Sequence, residues 1–202
     1  MKLSSNKKTV ITDNQFSLYE LGSFDYQIEK EFLKGTNITI TSNTSVPSSE
    51  SDKMFFESGF FDLKKGNFQT ATTIIKLKKN TFKRSDNDPR IYGASTSKKG
   101  KVTSIKKAVF TSCKKTDKCP PWQLQASEIK HDKNKKQLIY NDTILKIYDV
   151  PVFYFPKFFH PDPTVKRQSG FLSPKFGNSN TLGSSLSVPY FYAISDLSLI
   201  HI

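Results

Sequence analysis

A recurring strand–turn–strand unit constrains this chain more than any other feature. In each copy an apolar strand leads into a turn rich in Lys, Asn and Gly, and a second apolar strand follows. Residues 60–68 (FFDLKKGNF) are one copy and residues 129–140 (IKHDKNKKQLIY) are another. The turns recur at intervals of about thirty residues. Such units bury their apolar faces by stacking on their neighbours, so the repeat predicts an all-β solenoid or jelly roll.

Alternation of apolar and polar residues supports the strands. It is clearest at residues 37–41 and recurs at 75–78, 102–105 and 122–126. The best helical candidate, residues 51–63, is interrupted by Gly59 and carries adjacent phenylalanines, so we predict no amphipathic helix. Residues 42–53 and 84–90 are predicted as exposed loops because they are rich in Ser, Asp, Asn and Pro.

The charge is strongly basic and comes almost entirely from lysine. The net charge is +13, and only Arg84, Arg90 and Arg167 among the 31 basic residues are arginines. Lysine acts as a point charge, whereas base-reading proteins favour the bidentate fork of arginine. The balance favours loose attraction to phosphate-bearing partners, or a simple compositional bias. The 17 phenylalanines suggest an aromatic-lined interior.

Sequence motifs for catalysis are missing. The chain has no Gly-x-Ser-x-Gly elbow, no phosphate-cradling glycine loop and no His-Glu-x-x-His helix. We therefore predict no enzymatic activity, no cofactor and no metal. Cys113 and Cys119 lie six residues apart, and a disulfide or two free thiols remain open for them. With His131 they would be a weak set of metal ligands.

The composition changes near residue 150. Residues 150–159 are strongly apolar, residues 160–167 form a Pro-containing extended connector, and short alternating strands follow. No stretch reaches the roughly 18 apolar residues of a membrane-spanning helix. The start lacks the apolar core of a signal peptide and the end falls within a strand, so we expect a fragment of a longer protein.

Four segments resemble one family in order along the chain. They are residues 122–132 (WQLQASEIKHD), 147–156 (IYDVPVFYFP), 160–172 (HPDPTVKRQSGFL) and 189–195 (PYFYAIS). The first is similar to the OstA-type repeat of the LptD family of outer-membrane lipopolysaccharide-assembly proteins, and the second to its last jelly-roll strand. The third is similar to its linker into the barrel, and the fourth to an early barrel strand.

This resemblance implies the fold and the domains. It implies an OstA-like β-jelly-roll (β-taco) over residues 1–155, a Pro-rich linker over 156–170, and the first strands of a truncated outer-membrane β-barrel over 171–202. It implies lipopolysaccharide transport and outer-membrane assembly, with the periplasmic jelly roll receiving the lipid from an LptA-type bridge protein and passing it to the barrel. An LptE-type lipoprotein is the implied partner of the full barrel. The expected location is the cell outer membrane, with this portion mostly periplasmic.

The resemblance also directs attention to particular residues. Nine apolar residues are predicted to line the lipid path: Phe55, Phe60, Phe68, Ile75, Leu77, Phe110, Ile129, Ile139 and Ile147. Pro174 and Pro189 are predicted to weaken the first barrel strands as a gate, since proline lacks the ladder N–H. Lys166 and Arg167 are predicted at the junction. The family often has another proline after the AIS stretch, where this chain has Asp196 and Leu197.

Two rival functions remain at the level of sequence. A basic single-strand nucleic-acid binder would use lysines and exposed aromatic rings for stacking. A purely structural β-solenoid would have a solid interior without a groove. The shortage of arginine and the family resemblance favour the lipid-transport hypothesis. We therefore predict no nucleic-acid partner.

Overall fold

All regular secondary structure in the described part of the chain is β-strand. A computed structural model describes residues 1–12, 18–42, 51–78, 88–114, 121–162, 165, 169–171, 175–179, 183–187 and 189–192. The first eight strands are β1 (Lys2–Ser5), β2 (Thr9–Thr12), β3 (Leu18–Leu21), β4 (Ser23–Gln27), β5 (Phe32–Thr41), β6 (Lys53–Asp62), β7 (Asn67–Lys76) and β8 (Arg90–Lys99). The remaining strands are β9 (Val102–Thr111), β10 (Trp122–Asp132), β11 (Gln137–Ile147), β12 (Val150–Pro161), β13 (Gly170–Phe171), β14 (Lys175–Ser179), β15 (Gly183–Ser187) and β16 (Tyr190–Phe191). The described ranges contain no helix that is long and apolar enough to cross a membrane.

Twelve strands form one antiparallel sheet built from successive hairpins. From β4 to β12 each strand pairs with the next one in the chain. β5 pairs with β3 as well as with β4. In the described residues no pairing joins β12 back to β1, so the sheet is open. The prediction of an all-β jelly roll made of stacked strand–turn–strand units is confirmed.

The hairpin turns stack on one edge of the sheet. Their left-handed positions fall at Glu31, Gly66, Gly100 and Lys136. Consecutive tips are hydrogen-bonded: the Leu63 amide donates to the Glu31 carbonyl at 3.0 Å. The Gly100 amide donates to Asn67 Oδ1 at 2.8 Å, and the Lys133 amide donates to the Lys101 carbonyl at 3.1 Å. The tips therefore form a continuous ridge.

The sheet bends along a single line that crosses the middle of seven strands, which we call the fold line. One residue of each strand lies on it and is skipped by the pairing ladder: Asn37, Glu57, Thr72, Ala94, Lys107, Ser127 and Asp142. On alternate strands this residue has a positive φ of 41–49°, at Asn37, Thr72, Lys107 and Asp142, which are spaced 35 residues apart. The repeat is thus 35 residues, somewhat longer than the interval of the turn signals suggested.

The bend makes residues three apart face the same interior. In a straight strand, Thr70 and Thr73 would point to opposite faces, yet both are buried and their hydroxyl oxygens lie 3.4 Å apart. The fold line divides the sheet into a hairpin-side arm, which ends at the ridge of turns, and a loop-side arm, which ends at the opposite edge. The buried hydrophobic residues lie on the inner face between these arms: Leu21, Ile38, Phe56, Ile91, Ile105, Ala108, Ala126, Ile129 and Tyr140.

The contacts divide the chain into two compact units, residues 1–159 and 160–202. The first unit contains the large sheet, except that β12 extends to Pro161. The second unit contains two small antiparallel pairs, β13 with β16 and β14 with β15. The assignment of residues 156–170 to a linker and of 171–202 to barrel strands stays a prediction.

The two predicted loops end earlier than expected. Lys53 already starts β6, and Ser51 before it is buried. Arg90 starts β8 and is only 7% exposed, with Nη1 donating to the Cys113 carbonyl at 2.6 Å. The C-terminal end of each predicted loop therefore belongs to a strand, β6 or β8. Residues 43–50 and 79–87 lie outside the described ranges.

Candidate functional site

The inner face of the loop-side arm carries a row of seven apolar residues, one from each of strands β5 to β11. Each member is the direct cross-strand partner of the next. In spatial order this apolar row is Ile40, Met54, Ile75, Ile91, Phe110, Leu124 and Leu145. With strands about 4.8 Å apart, six intervals give a length of about 29 Å.

The apolar row lies on the core face and yet is mostly not sealed from solvent. Ile91 is the buried member at 8% exposure, and the other six are partly exposed. Ile75 and Phe110 pack against one buried cluster, and Ile40 and Met54 pack against the other. A closed core would bury such a row completely, so the inner face presents accessible apolar surface.

Trp122 extends this surface beyond the apolar row. Its ring meets the ring of Phe110 edge-on, with the centroids 5.7 Å apart. Trp122 lies two residues before Leu124 on β10, so it shares the same face of the strand. It is the single tryptophan of the chain, and it therefore reports on this face alone.

The hairpin-side arm carries a second inner row of different character. Its members, again in cross-strand register, are Leu33, Phe61, Phe68, Lys98, Thr103, His131 and Leu138. The Phe61 and Phe68 rings lie 5.6 Å apart, and Phe68 also meets Phe56, which lies across the fold line, at 6.1 Å. Three polar side chains then interrupt the row. The first row is thus apolar throughout, whereas the second is interrupted by Lys98, Thr103 and His131 before it ends at Leu138.

The structure distributes the nine predicted lining residues over both faces. Alternation from the buried residues of the same strands places six of them on the inner face: Phe68, Ile75, Leu77, Phe110, Ile129 and Ile147. Ile129 is 2% exposed and packs in the core, whereas Ile147 at the end of β11 is 42% exposed. Phe55, Phe60 and Ile139 have the outward parity, and the Lys76 ammonium lies 4.8 Å from the centre of the Phe55 ring. Whether the inward residues contact lipid stays a prediction.

The predicted junction residues are mostly beyond the described ranges. Pro189 is described and partly exposed, directly before β16. Lys166, Arg167, Pro174 and Cys119 lie outside the described residues. Cys113 is part-buried, with its sulfur 3.6 Å from the Trp122 carbonyl oxygen. The gate and the disulfide stay predictions.

Buried threonines lie at the fold line between the two inner rows, where the sequence did not predict them. The Thr96 hydroxyl donates to Thr73 Oγ1 at 2.8 Å, and the Thr70 hydroxyl donates to the Thr96 carbonyl at 3.3 Å. These bonds link β7 to β8 at the bend, between the two inner rows. The 35-residue period could have indicated this buried position, because it aligns Ile38, Thr73, Ala108 and Thr143.

These features define an open antiparallel β-jelly-roll with an accessible apolar inner face. Over 99 residues, or 48% of the chain, it is 34% identical to the LPS-assembly protein LptD of Legionella pneumophila (strain Paris). It is 40% identical over 88 residues to LptD of Methylococcus capsulatus, and 36% identical over 95 residues to LptD of Hahella chejuensis. These matches cover 40% and 46% of the chain. The predicted resemblance to LptD is confirmed.

The extent of the match limits what transfers from these relatives. The chain spans 11%, 8% and 12% of the length of these three proteins. No protein-family model matches the chain. The activity and partners of the whole relatives are therefore hypotheses for this chain.

Proposed function

We propose that this chain is the lipid-receiving part of an LptD-type protein in lipopolysaccharide transport and outer-membrane assembly. In this proposal the inner face of the jelly roll, in the periplasm, holds the acyl chains of lipopolysaccharide and passes them toward the C-terminal strands. An LptA-type protein would deliver the lipid, and an LptE-type lipoprotein would accompany the complete outer-membrane protein. The role is one of binding and transfer, without enzymatic chemistry.

The observation that carries the proposal is the partly exposed apolar row. A continuous line of seven apolar side chains, about 29 Å long, matches an extended hydrocarbon chain better than it matches a compact polar ligand. Each methylene that leaves water on this surface contributes about 0.8 kcal/mol. The row alone can therefore supply substantial affinity for an acyl chain.

The polarity of the interior also bears on the rival functions. A single-strand nucleic-acid binder would use exposed rings beside a basic groove, and exposed rings are present, as at Phe60 and Phe153. That role does not account for the inward cluster in which the Phe68 ring meets the rings of Phe56 and Phe61. A purely structural solenoid needs no accessible apolar row. The lipid-binding role accounts for both features.

Fluorescence of Trp122 tests the proposal directly. Lipopolysaccharide carrying a nitroxide quencher on an acyl chain should quench Trp122, because the ring lies on the inner face beside Phe110. Phe110→Asn should weaken the binding about tenfold or more, since it removes apolar contact area and leaves a polar group facing the chain. The matched control is Val109→Asn, on the same strand with the opposite parity, which should bind as the parent does. Quenching that is absent in the parent, or equal losses in the two variants, would reject the proposal.

A further inference from the structure

Three polar side chains interrupt the inner row of the hairpin-side arm at one place. Lys98, Thr103 and His131 are consecutive cross-strand partners on β8, β9 and β10. They face inward because a buried residue lies two positions away on each strand: Thr96, Ile105 and Ile129. Two strand intervals separate the outer members, so the three Cα atoms lie within about 10 Å.

The turns just beyond these residues are rich in lysine. Five exposed lysines, Lys99, Lys101, Lys133, Lys135 and Lys136, occupy the tips of the β8–β9 and β10–β11 hairpins. Within the described residues, the ion pairs involve other cations. The nearby carboxylate of Asp132 accepts hydrogen bonds from the backbone amides of Asn134 and Lys135, at 2.9 and 3.2 Å. The tips therefore carry an excess of uncompensated positive charge.

The lysine-rich hairpin tips and the apolar row lie on opposite arms of the bent sheet. The apolar row lies on one side of the fold line, and the polar triplet lies on the other side, next to the free edge of its arm. A ligand that spans both must be amphiphilic, with hydrocarbon along the loop-side arm and an anionic group at the hairpin edge. The Thr103 hydroxyl, with the Lys98 ammonium on one neighbouring strand and the His131 imidazole on the other, suits a phosphate, because that group accepts several hydrogen bonds at once.

We propose that Lys98, Thr103 and His131, together with the lysines of the two hairpin tips, form a binding site for the phosphorylated headgroup of the lipid. This inference rests on the proposed function, and it assigns the orientation of the lipid in the groove. The headgroup lies at the hairpin edge of β8 to β11, and the acyl chains lie along the apolar row. The phosphate site selects phosphorylated amphiphiles over neutral ones of equal chain length.

The test compares two lipids and three variants of the full chain. The lipids are bisphosphorylated lipid A and the same lipid after enzymatic removal of both phosphates, each titrated against Trp122 fluorescence. The edge variant combines Lys98→Gln, Lys99→Gln, Lys101→Gln and Lys133→Gln. The control variant has the same loss of charge at exposed lysines elsewhere: Lys7→Gln, Lys106→Gln, Lys114→Gln and Lys157→Gln. Thr103→Val is a third variant that leaves the net charge unchanged.

The parent and the control variant should bind the phosphorylated lipid about tenfold more tightly than the dephosphorylated lipid. The edge variant should lose this preference and keep the affinity for the dephosphorylated form. Thr103→Val should reduce the preference about threefold, an effect that diffuse charge attraction would not produce. Equal affinity of the parent for both lipids, or equal losses in edge and control variants, would overturn the headgroup site while leaving the lipid-binding role intact. Failure of the parent to bind either lipid would instead reject the proposed function, and the site with it.

Discussion

Replacing Gly93 by alanine tests the packing at the fold line most severely. A Cβ at this position would lie 2.3 Å from Cγ2 of Ile105, far inside the shortest ordinary contact. Ile105 is 6% exposed and belongs to the buried cluster between the arms, so its side chain has little room to move. Overpacking of this kind costs about 1–3 kcal/mol. The lower entropy of the unfolded chain returns about 0.4–1 kcal/mol, which leaves a net loss of about 1–2 kcal/mol.

Urea denaturation of the full chain measures this loss. Gly93→Ala should lower the midpoint, whereas Ser95→Ala, on the outward face of the same strand, should change the stability by less than about 0.5 kcal/mol. Ile105→Ala alone should cost about 2–5 kcal/mol because it leaves a cavity. The double variant should lose at least about 1 kcal/mol less than the sum of the single losses, since the new methyl group fills that cavity. An unchanged or raised midpoint for Gly93→Ala, or strict additivity, would refute the reasoning.

Three further predictions concern single side chains. Thr96→Val should cost about 1–2 kcal/mol in a urea titration, since it removes the donor to Thr73 Oγ1, and Thr96→Ser should lose less. In thermal melts Lys136→Gly should stabilise by about 0.5–1 kcal/mol and Gly66→Ala should destabilise by about 1 kcal/mol, because both positions have a positive φ; shifts of equal sign would contradict this. Burial raises the pKa of Tyr140 above its ordinary 10.0, so the folded state keeps a proton that the unfolded chain releases. Stability should therefore fall as the pH rises above about 10, and Tyr140→Phe should show a shallower fall between pH 9 and 11 in urea midpoints.

The fold was largely predictable from the sequence because its repeat is regular. Strand alternation and the Lys/Asn/Gly turns identify the hairpins, and a register of 35 residues aligns Ile40, Ile75, Phe110 and Leu145, four members of the apolar row. Stacking of such units then follows from the need to cover one apolar face. The family resemblance located the same segments independently.

The side-chain directions beyond the fold line were not predictable by alternation. Counting by twos from Phe56 would place Phe60 on the inner face, yet the bend at Glu57 reverses the parity and leaves Phe60 59% exposed. The same reversal, at Asp142 on β11, puts Ile139 outward. Nothing in the side chains of Thr72 or Lys107 marks a left-handed backbone, since Gly and Asn are the usual residues there. At Thr72 and Lys107 the bend therefore arises from the stacking of the sheet, whereas Asn37 and Asp142 are residue types that adopt this backbone conformation more readily.

The central claim is that the inner face of the jelly roll holds lipid acyl chains. Photocrosslinking at inward-facing and neighbouring outward-facing positions of the same strands tests it most directly. A benzophenone amino acid is placed at Ile40, Ile75 and Leu124 of the apolar row, and in matched variants at the outward neighbours Thr39, Ile74 and Gln125. Irradiation with lipopolysaccharide should give crosslinks at the three inward positions and at most weak ones at their neighbours. Crosslinks of equal strength at both parities, or at the outward positions alone, would contradict the account.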